Sequence, residues 1–175
     1  MKKRLKRPAS ILLALCLLAA LLPQRALAAE TIIVPAGGDL AQAVEDAALG
    51  STLVLQGDSY LVEPEGSGDD PWVIDKDLTI QGGGGTINVR RGGIVLKDNV
   101  TFENVVIGFS SNMRNAIIAN GHTLTLDGVT CSQNSAYPIN LFCGGLLDSN
   151  NEGFGNYLPA SGSTGTVIVR GNTNY

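Results

Sequence analysis

The chain has 175 residues, of which 12 are Lys or Arg and 16 are Asp or Glu, and its formal net charge is −4. The phosphates of nucleic acid require a basic face, so this acidic balance argues against nucleic acid as a partner. It is compatible with cations or with neutral sugars.

The first 28 residues have the three parts of a secretory signal peptide. MKKRLKRPAS is the basic head, ILLALCLLAALLP is the apolar run, and a small-x-small site ends at Ala28. We expect cleavage between Ala28 and Ala29, which leaves residues 29–175 as an exported domain, secreted or at the cell surface. Cleavage there removes six of the twelve basic residues and none of the sixteen acids, so the exported domain would carry a net charge of −10.

Two alternatives to a cleaved signal peptide remain. A membrane anchor would need about 20 apolar residues, and Pro23, Gln24 and Arg25 end the run before that length. A lipid-modified Cys16 is the second alternative, but the bulky Leu15 precedes it and the apolar run continues past it. We therefore expect no integral membrane segment once the signal peptide is removed.

The stretch DLAQAVEDAALG, from Asp39 to Gly50, predicts an amphipathic helix. Asp39 can cap its amino end with Gln42 three residues on, and Gly50 sits where the helix should stop. Its apolar face is formed by Leu40, Ala43, Val44, Ala47 and Ala48. We expect this helix to cap the strand stack that follows, because an uncapped end exposes apolar core and an unpaired strand edge.

Five short strands of alternating polarity fall in register after this helix. Their first and third residues are apolar and should point inward, since strict alternation is typical of strands. The five are LVLQG from Leu53, LTIQG from Leu78, VTFEN from Val100, LTLDG from Leu124 and VIVRG from Val167. The steps between them are 25, 22, 24 and 43 residues, the last close to twice the others. A repeat of this period predicts a stacked solenoid.

The fifth position of each strand holds a residue that tolerates positive φ at low cost. The residues at this position are Gly57, Gly82, Asn104, Gly128 and Gly171. We expect the chain to bend at each of them. A second alternating series follows the bend, as at Val105 and Ile107, and a third runs through GGIVLKD, AIIANGH and PINLFCGG. Three short strands per repeat, joined by tight polar corners, predict an all-β, right-handed parallel β-helix.

Two stretches resemble a known family. IIVPAGGDLAQAVEDAALGSTLVLQGDSYLVE, followed by VIDKDLTIQGGGGTINV, resembles the amino-terminal cap and first coils of the pectin lyase-like superfamily of right-handed β-helices. The resemblance covers nearly all of the exported domain. Members of that superfamily include polysaccharide lyases and hydrolases, pectin esterases, phage tailspikes and bacterial surface adhesins. The resemblance therefore implies a scaffold and does not choose between an enzyme and a binding module.

The catalytic motifs of that superfamily's enzymes do not recur in this chain. Members resembling pectate lyases carry clustered aspartates that hold calcium and an arginine base, and polygalacturonase-like members carry paired aspartates and a Gly-His-Gly. Here Gly121 and His122 are followed by Thr123, and no arginine sits beside an acidic cluster on a strand. No catalytic residue is assigned, and His122, the only histidine, is interpreted as a solvated turn residue.

Two acidic features are candidates for a cation site, with calcium as the candidate cation. Glu103 and Asp127 hold the same outward position on successive strands, about 4.8 Å apart by strand spacing. They could share a cation or divide acid and nucleophile roles; the alternative is a hydrated polar ladder. The loop GSGDDPW, with Asp69 and Asp70, could also bind calcium or could serve solubility alone. Neither interpretation requires a cofactor.

Two cysteines remain after removal of the signal peptide. Cys131 and Cys143 could form a disulfide in an oxidising compartment, or each could pack as a small hydrophobic residue. After Cys143 the strand pattern is broken by GGLLDSNNEGFGNYLPASGSTG. Phe154 and Tyr157 in this loop are candidates for stacking on a sugar. The alternative is an ordinary long excursion or a poorly formed coil.

Two functions are compatible with these features. The first is a secreted or cell-surface β-helix module without catalysis, adhesin-like or glycan-binding. The second is the amino-terminal part of a polysaccharide lyase or glycoside hydrolase acting on pectin-like polysaccharide. The sequence finishes TVIVRGNTNY, a strand and a corner without the atypical terminal repeat that closes a solenoid. We therefore expect domain 29–175 to be incomplete, with further coils or a partner chain at its carboxy-terminal end.

Overall fold

The structure, a computed structural model, describes residues 28–63, 71–90, 93–109, 116–133, 141–142 and 164–174. These residues form one short helix and fourteen strands. The elements are β1 (Thr31–Val34), α1 (Leu40–Asp46), β2 (Ser51–Leu55), β3 (Ser59–Val62), β4 (Trp72–Ile74), β5 (Leu78–Gly82), β6 (Thr86–Val89), β7 (Ile94–Leu96), β8 (Val100–Glu103), β9 (Val106–Phe109), β10 (Ile117–Ile118), β11 (Thr123–Asp127), β12 (Thr130–Gln133), β13 (Leu141–Phe142) and β14 (Thr166–Arg170). Within this part of the chain, no helix has the length and apolar character needed to cross a membrane.

The strands form three parallel sheets that wind into a β-solenoid of about four turns. One sheet has six strands in the order β1-β2-β5-β8-β11-β14, and the other two have the orders β12-β9-β6-β3 and β13-β10-β7-β4. From β2 onward the chain visits the three sheets in turn, so neighbours within a sheet are separated in the chain by strands of the other two sheets; β1 and β2 are separated only by α1. The predicted parallel β-helix is confirmed, including all three strand series, and its right-handedness remains a prediction.

The predicted register is confirmed for four of the five aligned strands. Leu78, Val100, Leu124 and Val167 occupy equivalent positions on successive strands of the six-stranded sheet. The first strand was misaligned, because Leu53 pairs with Ile80 and not with Leu78. The slip is two residues, so the same side chains still face the core. Its cause is the run of four glycines from Gly82 to Gly85, which offers several equivalent corner positions to an alignment based on sequence.

The corner conformations show the same error. Positive φ angles occur at three of the five predicted bends, namely Asn104 (51°), Gly128 (63°) and Gly171 (64°). Gly57 and Gly82 were predicted to share this conformation and do not, whereas Gly84 has a φ of 94°. Glycine at Gly82 is required by space instead, because a Cβ there would lie 2.7 Å from Cγ1 of Val105.

The inward side chains of the three sheets form one apolar core. In the six-stranded sheet the predicted inward residues are buried on four successive strands: Leu53, Leu55, Leu78, Ile80, Val100, Phe102, Leu124 and Leu126. On β14 the equivalent residues are less covered, since Val167 is half-buried and Val169 is 41% exposed. β14 is the last strand of this sheet, so the core is open on its far side within the described residues.

The predicted helix is present but shorter than expected. Asp39 caps it as predicted, with Oδ1 accepting a hydrogen bond from the backbone N–H of Gln42 at 3.0 Å, and Leu40 and Val44 are buried. The helix ends at Asp46 with Ala47 as its carboxy-terminal cap, so the predicted stop at Gly50 is wrong. The backbone of Ala47 is extended, yet its side chain is buried. The helical spacing of apolar residues in the sequence therefore continues beyond the last helical residue. The role of α1 as a cap of the stack remains a prediction.

Candidate functional site

Four outward-facing polar residues form a column across neighbouring strands of the six-stranded sheet. In the strand register Gln81 pairs with Glu103, Glu103 with Asp127, and Asp127 with Arg170. We call these four residues the polar column. The expected adjacency of Glu103 and Asp127 on successive coils is confirmed, because a repeat of constant length brings equivalent positions side by side.

One end of the polar column is an ion pair. Nε of Arg170 donates to Oδ2 of Asp127 at 2.8 Å. Because both side chains are partly exposed, the pair contributes about 0–1 kcal/mol to stability at most. The pair matters more for cation binding, because the guanidinium of Arg170 offsets the negative charge with which Asp127 would attract a cation. No group of three His, Cys, Asp or Glu suited to a metal ion occurs among the described residues, and the calcium site at Glu103 and Asp127 remains a prediction.

Glu103 lies in the middle of the polar column and differs from its neighbour. Its side chain is half-buried, and within the described part of the chain its carboxylate has no hydrogen bond or ion pair. A carboxylate has two oxygens with several acceptor positions. Glu103 therefore presents acceptor capacity at a fixed place on the sheet surface.

A shallow depression lies beside the polar column, where the strands end in corners. Its volume is about 520 Å³, and its lining includes Gly82, Gly83, Gly84, Asn104, Gly128 and Thr130. We call it the corner trough. Each of its three corner segments directly follows a residue of the polar column in the chain. Because glycine has no side chain, the four glycines of the lining leave room for a ligand lying across several coils.

A row of threonines runs parallel to the polar column on the same sheet. Thr31, Thr52, Thr79, Thr101 and Thr125 are in register on five successive strands. The two-residue slip at β2 placed Thr52 out of line with this row in the alignment of the sequence. Thr125 is buried, at 8% exposed, and the other four are at least partly exposed. Because each hydroxyl can both donate and accept a hydrogen bond, these four add polar groups at the strand spacing to the outer face of the sheet.

Comparison with known proteins gives no match: no family model, no curated protein and no solved structure is significantly similar to this chain. The resemblance to the pectin lyase-like superfamily therefore remains a prediction. The solenoid itself does not depend on that resemblance, because the strand pairing shows it directly.

The other predicted site residues fall into two groups. His122 is half-buried at a corner, where its backbone N–H donates to the carbonyl of Ala119 and its own carbonyl accepts from the N–H of Thr166. This placement agrees with a turn residue. Cys131 is a buried free cysteine, and burial raises the pKa of its thiol to about 12, so the thiol is protonated near neutral pH and is a poor nucleophile.

Most of the remaining site residues predicted from the sequence are not among those that the structure describes. Cys143, Phe154, Tyr157, Asp69 and Asp70 are outside the described residues, so the disulfide, the sugar-stacking loop and the acidic loop remain predictions. The expected processing site at Ala28 and Ala29 is exposed and precedes β1 by one residue, Glu30.

Two features of the site could not be found by sequence reasoning alone. Arg170 was placed in the polar column by the repeat, but its hydrogen bond to Asp127 depends on the conformation of a long side chain. The corner trough depends on how far the corners of neighbouring coils spread apart. The corner between β5 and β6 has three residues, and that between β8 and β9 has two. The only signal in the sequence was the glycine run at 82–85.

Proposed function

We propose that this chain is an exported β-solenoid module that binds a neutral glycan along the polar column and the corner trough, without catalysing a reaction on it. The observation that carries the proposal is Glu103. Its half-buried carboxylate has no partner in the described part of the chain and lies beside a depression that spans several coils. Sugar hydroxyls are donors that such a carboxylate can accept, and charged acceptors form the stronger hydrogen bonds.

Charge supports a neutral ligand over an acidic one. A polyuronate such as pectin would bring its carboxylates close to Glu103 and to an exported domain with an expected net charge of −10. Like charges at close range are unfavourable unless a cation separates them. Arg170 supplies one positive charge in the polar column, but it is already paired with Asp127.

The experiment uses the exported domain, residues 29–175, in affinity electrophoresis through gels containing neutral polysaccharides or polygalacturonate. We expect retention by at least one neutral polysaccharide. Glu103→Ala should weaken that retention about tenfold or more, because it removes hydrogen bonds to a charged acceptor worth about 1.5–3 kcal/mol. Asp58→Asn is the matched control, since Asp58 is an exposed acid at a different corner. Retention that is equal in Glu103→Ala and in the parent domain would refute this assignment.

The same samples test the enzymatic alternative, an amino-terminal part of a lyase or hydrolase acting on pectin-like polysaccharide. Unsaturated uronate absorbance would indicate a lyase, and new reducing ends would indicate a hydrolase. Either signal, if lost in Glu103→Ala, would replace the binding function with a catalytic one. The pairing of Asp127 with Arg170 argues against this outcome, because two catalytic carboxylates must both be available to the substrate.

A further inference from the structure

A second cavity lies on a different part of the molecule, between α1 and the strands β3 and β4. Its volume is about 410 Å³, within the range of small-ligand sites, about 300–1,000 Å³. The apolar side chains that this cavity exposes are those of Ala41 and Val73, both half-buried, and behind them lie the core residues Val44, Val62 and Trp72. Apolar walls of this kind favour a ligand with an apolar body, because burying that body releases water from both surfaces.

The rim of this cavity is acidic. Asp39, Glu45 and Asp75 line it together with the amide of Gln42, and all four side chains are exposed. None of the lining residues that the structure describes is Lys, Arg or His. The nearby Lys76, whose Nζ donates to two backbone carbonyls at the end of α1, offsets part of this negative charge. The three carboxylates of the rim still outnumber it.

We propose that this cavity binds an organic cation, a protonated amine or guanidinium on an apolar stem. The stem packs against Ala41 and Val73, and the charged end reaches the carboxylates of the rim. The site is independent of the proposed glycan function, because no residue of the polar column or the corner trough lines it.

Trp72 makes the test direct, because it is the only tryptophan in the chain. Its fluorescence is followed in residues 29–175 during titration with phenethylamine, phenethyl alcohol and phenylacetate, three probes with one apolar body and different charges. We expect a saturable change with the amine, binding at least about tenfold weaker with the alcohol, a difference of about 1.4 kcal/mol, and no binding of the carboxylate. Raising the salt concentration should weaken the amine alone.

Two substitutions test the rim without altering the apolar lining. Glu45→Gln combined with Asp75→Asn should weaken phenethylamine about tenfold or more, and Asp39 is left unchanged because it caps α1. Asp58→Asn controls for the loss of an acid elsewhere, and thermal unfolding verifies that each variant is folded. Glu103→Ala should bind phenethylamine like the parent domain, so that failure of the glycan proposal and failure of this one are distinguishable.

The source of the cation is separated by a further arm, a short blocked peptide with one central lysine. Binding of the peptide as tightly as the amine assigns the cavity to a basic side chain of a partner, and binding of the amine alone assigns it to a small molecule. Equal response of Trp72 to the amine and the alcohol, or unchanged amine binding in the Glu45→Gln and Asp75→Asn double variant, overturns the proposal.

Discussion

Tyr60 illustrates how one side chain fixes the first corner of the solenoid. It is 1% exposed. Its hydroxyl donates to the carbonyl of Val34 at 2.8 Å and accepts from the N–H of Gly57 at 2.5 Å. The carbonyl of Val34 also accepts from the N–H of Gln56. Without the tyrosine hydroxyl, the carbonyl of Val34 would keep a partner and the N–H of Gly57 would lose its own. Sequence patterning identified neither bond, because Tyr60 reads only as an apolar residue at an inward position.

The first residue-scale prediction concerns this hydroxyl. Tyr60→Phe keeps the ring and leaves the part-buried N–H of Gly57 without its partner, which costs about 1–3 kcal/mol. We expect the free energy of unfolding, measured by urea denaturation, to fall by that amount with an unchanged m-value. Ser59→Ala is the control, since Ser59 is an exposed neighbour whose hydroxyl accepts a hydrogen bond from the side-chain amide of Asn88. A Tyr60→Phe midpoint equal to that of the parent would contradict the prediction.

The second residue-scale prediction follows from the raised pKa of Cys131, about 12 against an ordinary value of 9.0, caused by burial. Below pH 9 the thiol is protonated in both states. Between pH 9 and pH 12 the unfolded chain releases the proton and the folded chain keeps it, so the free energy of unfolding should fall as pH rises. Comparison with Cys131→Ala isolates this slope from other titrating groups.

The reactivity of the Cys131 thiol also tests whether Cys131 and Cys143 form a disulfide. In a Cys143→Ser variant of residues 29–175, Cys131 is the only thiol. It should react with a thiol reagent at pH 8 only after denaturant is added, because a buried protonated thiol is neither accessible nor nucleophilic. Full reaction in the native variant would show that the thiol is not buried. If the parent domain yields no thiol after unfolding without reductant, the two cysteines are paired.

At the scale of elements, Lys76 joins α1 to the segment between β4 and β5. Its Nζ donates to the carbonyls of Glu45 and Ala47, at the end of a helix that has no basic residue in its own last turn. Terminal carbonyls of a helix lack partners within the helix and attract a positive charge. A cation from the bend between β4 and β5 thus pairs with helix carbonyls that have no basic partner within the helix itself.

Removing this cation should loosen the helix locally. Lys76→Met keeps most of the side-chain length, and we expect it to lower the free energy of unfolding by about 1 kcal/mol. Amide hydrogen exchange should accelerate within α1 and remain unchanged in β8 and β11. Arg90→Met is the control, because Arg90 is in an exposed ion pair with Glu63 at 3.7 Å, and such pairs contribute little. Equal exchange rates in α1 with and without Lys76 would disprove the role.

The elements also show what the sequence could and could not predict. Alternation and the repeat period predicted the strands correctly, because each inward position needs an apolar side chain on every coil. The end of α1 was predicted incorrectly because Ala47, which is extended, and Ala48 lie beyond the helix and are still buried, and burial alone does not distinguish helical from non-helical backbone. The glycine run at 82–85 erased the register signal, since glycine has no side chain to mark a face.

For the whole molecule, the repeat predicted which residues stand side by side and left open what they do. Glu103 and Asp127 are adjacent because the coil length is constant. The pairing of Asp127 with Arg170 depends on side-chain conformation, the corner trough depends on the spacing of the corners, and the second cavity depends on where α1 lies. The repeat encodes none of the three. The acidic cavity beside α1 in particular joins residues from the helix and from β3 and β4, which no single motif contains.

The last prediction concerns the end of the stack at β14. Its inward residue Val169 is 41% exposed, although the equivalent Leu126 and Phe102 on the preceding strands are fully buried, and its outward Ile168 is 42% exposed. An exposed strand edge next to uncovered apolar side chains promotes association. We therefore expect residues 29–175 to self-associate, with an average mass in light scattering that rises with protein concentration.

The variant that tests this end is Val169→Lys, because a charge facing the uncovered core of β14 opposes stacking by another chain or coil. It should shift the light-scattering mass toward that of the monomer at every concentration. Leu49→Lys is the matched control, since Leu49 is a more exposed apolar residue, 65%, outside the strands. If Leu49→Lys reduces association as much as Val169→Lys, contact is by general hydrophobic surface. If the parent domain is monomeric at high concentration, the prediction is wrong and β14 does not act as an association edge.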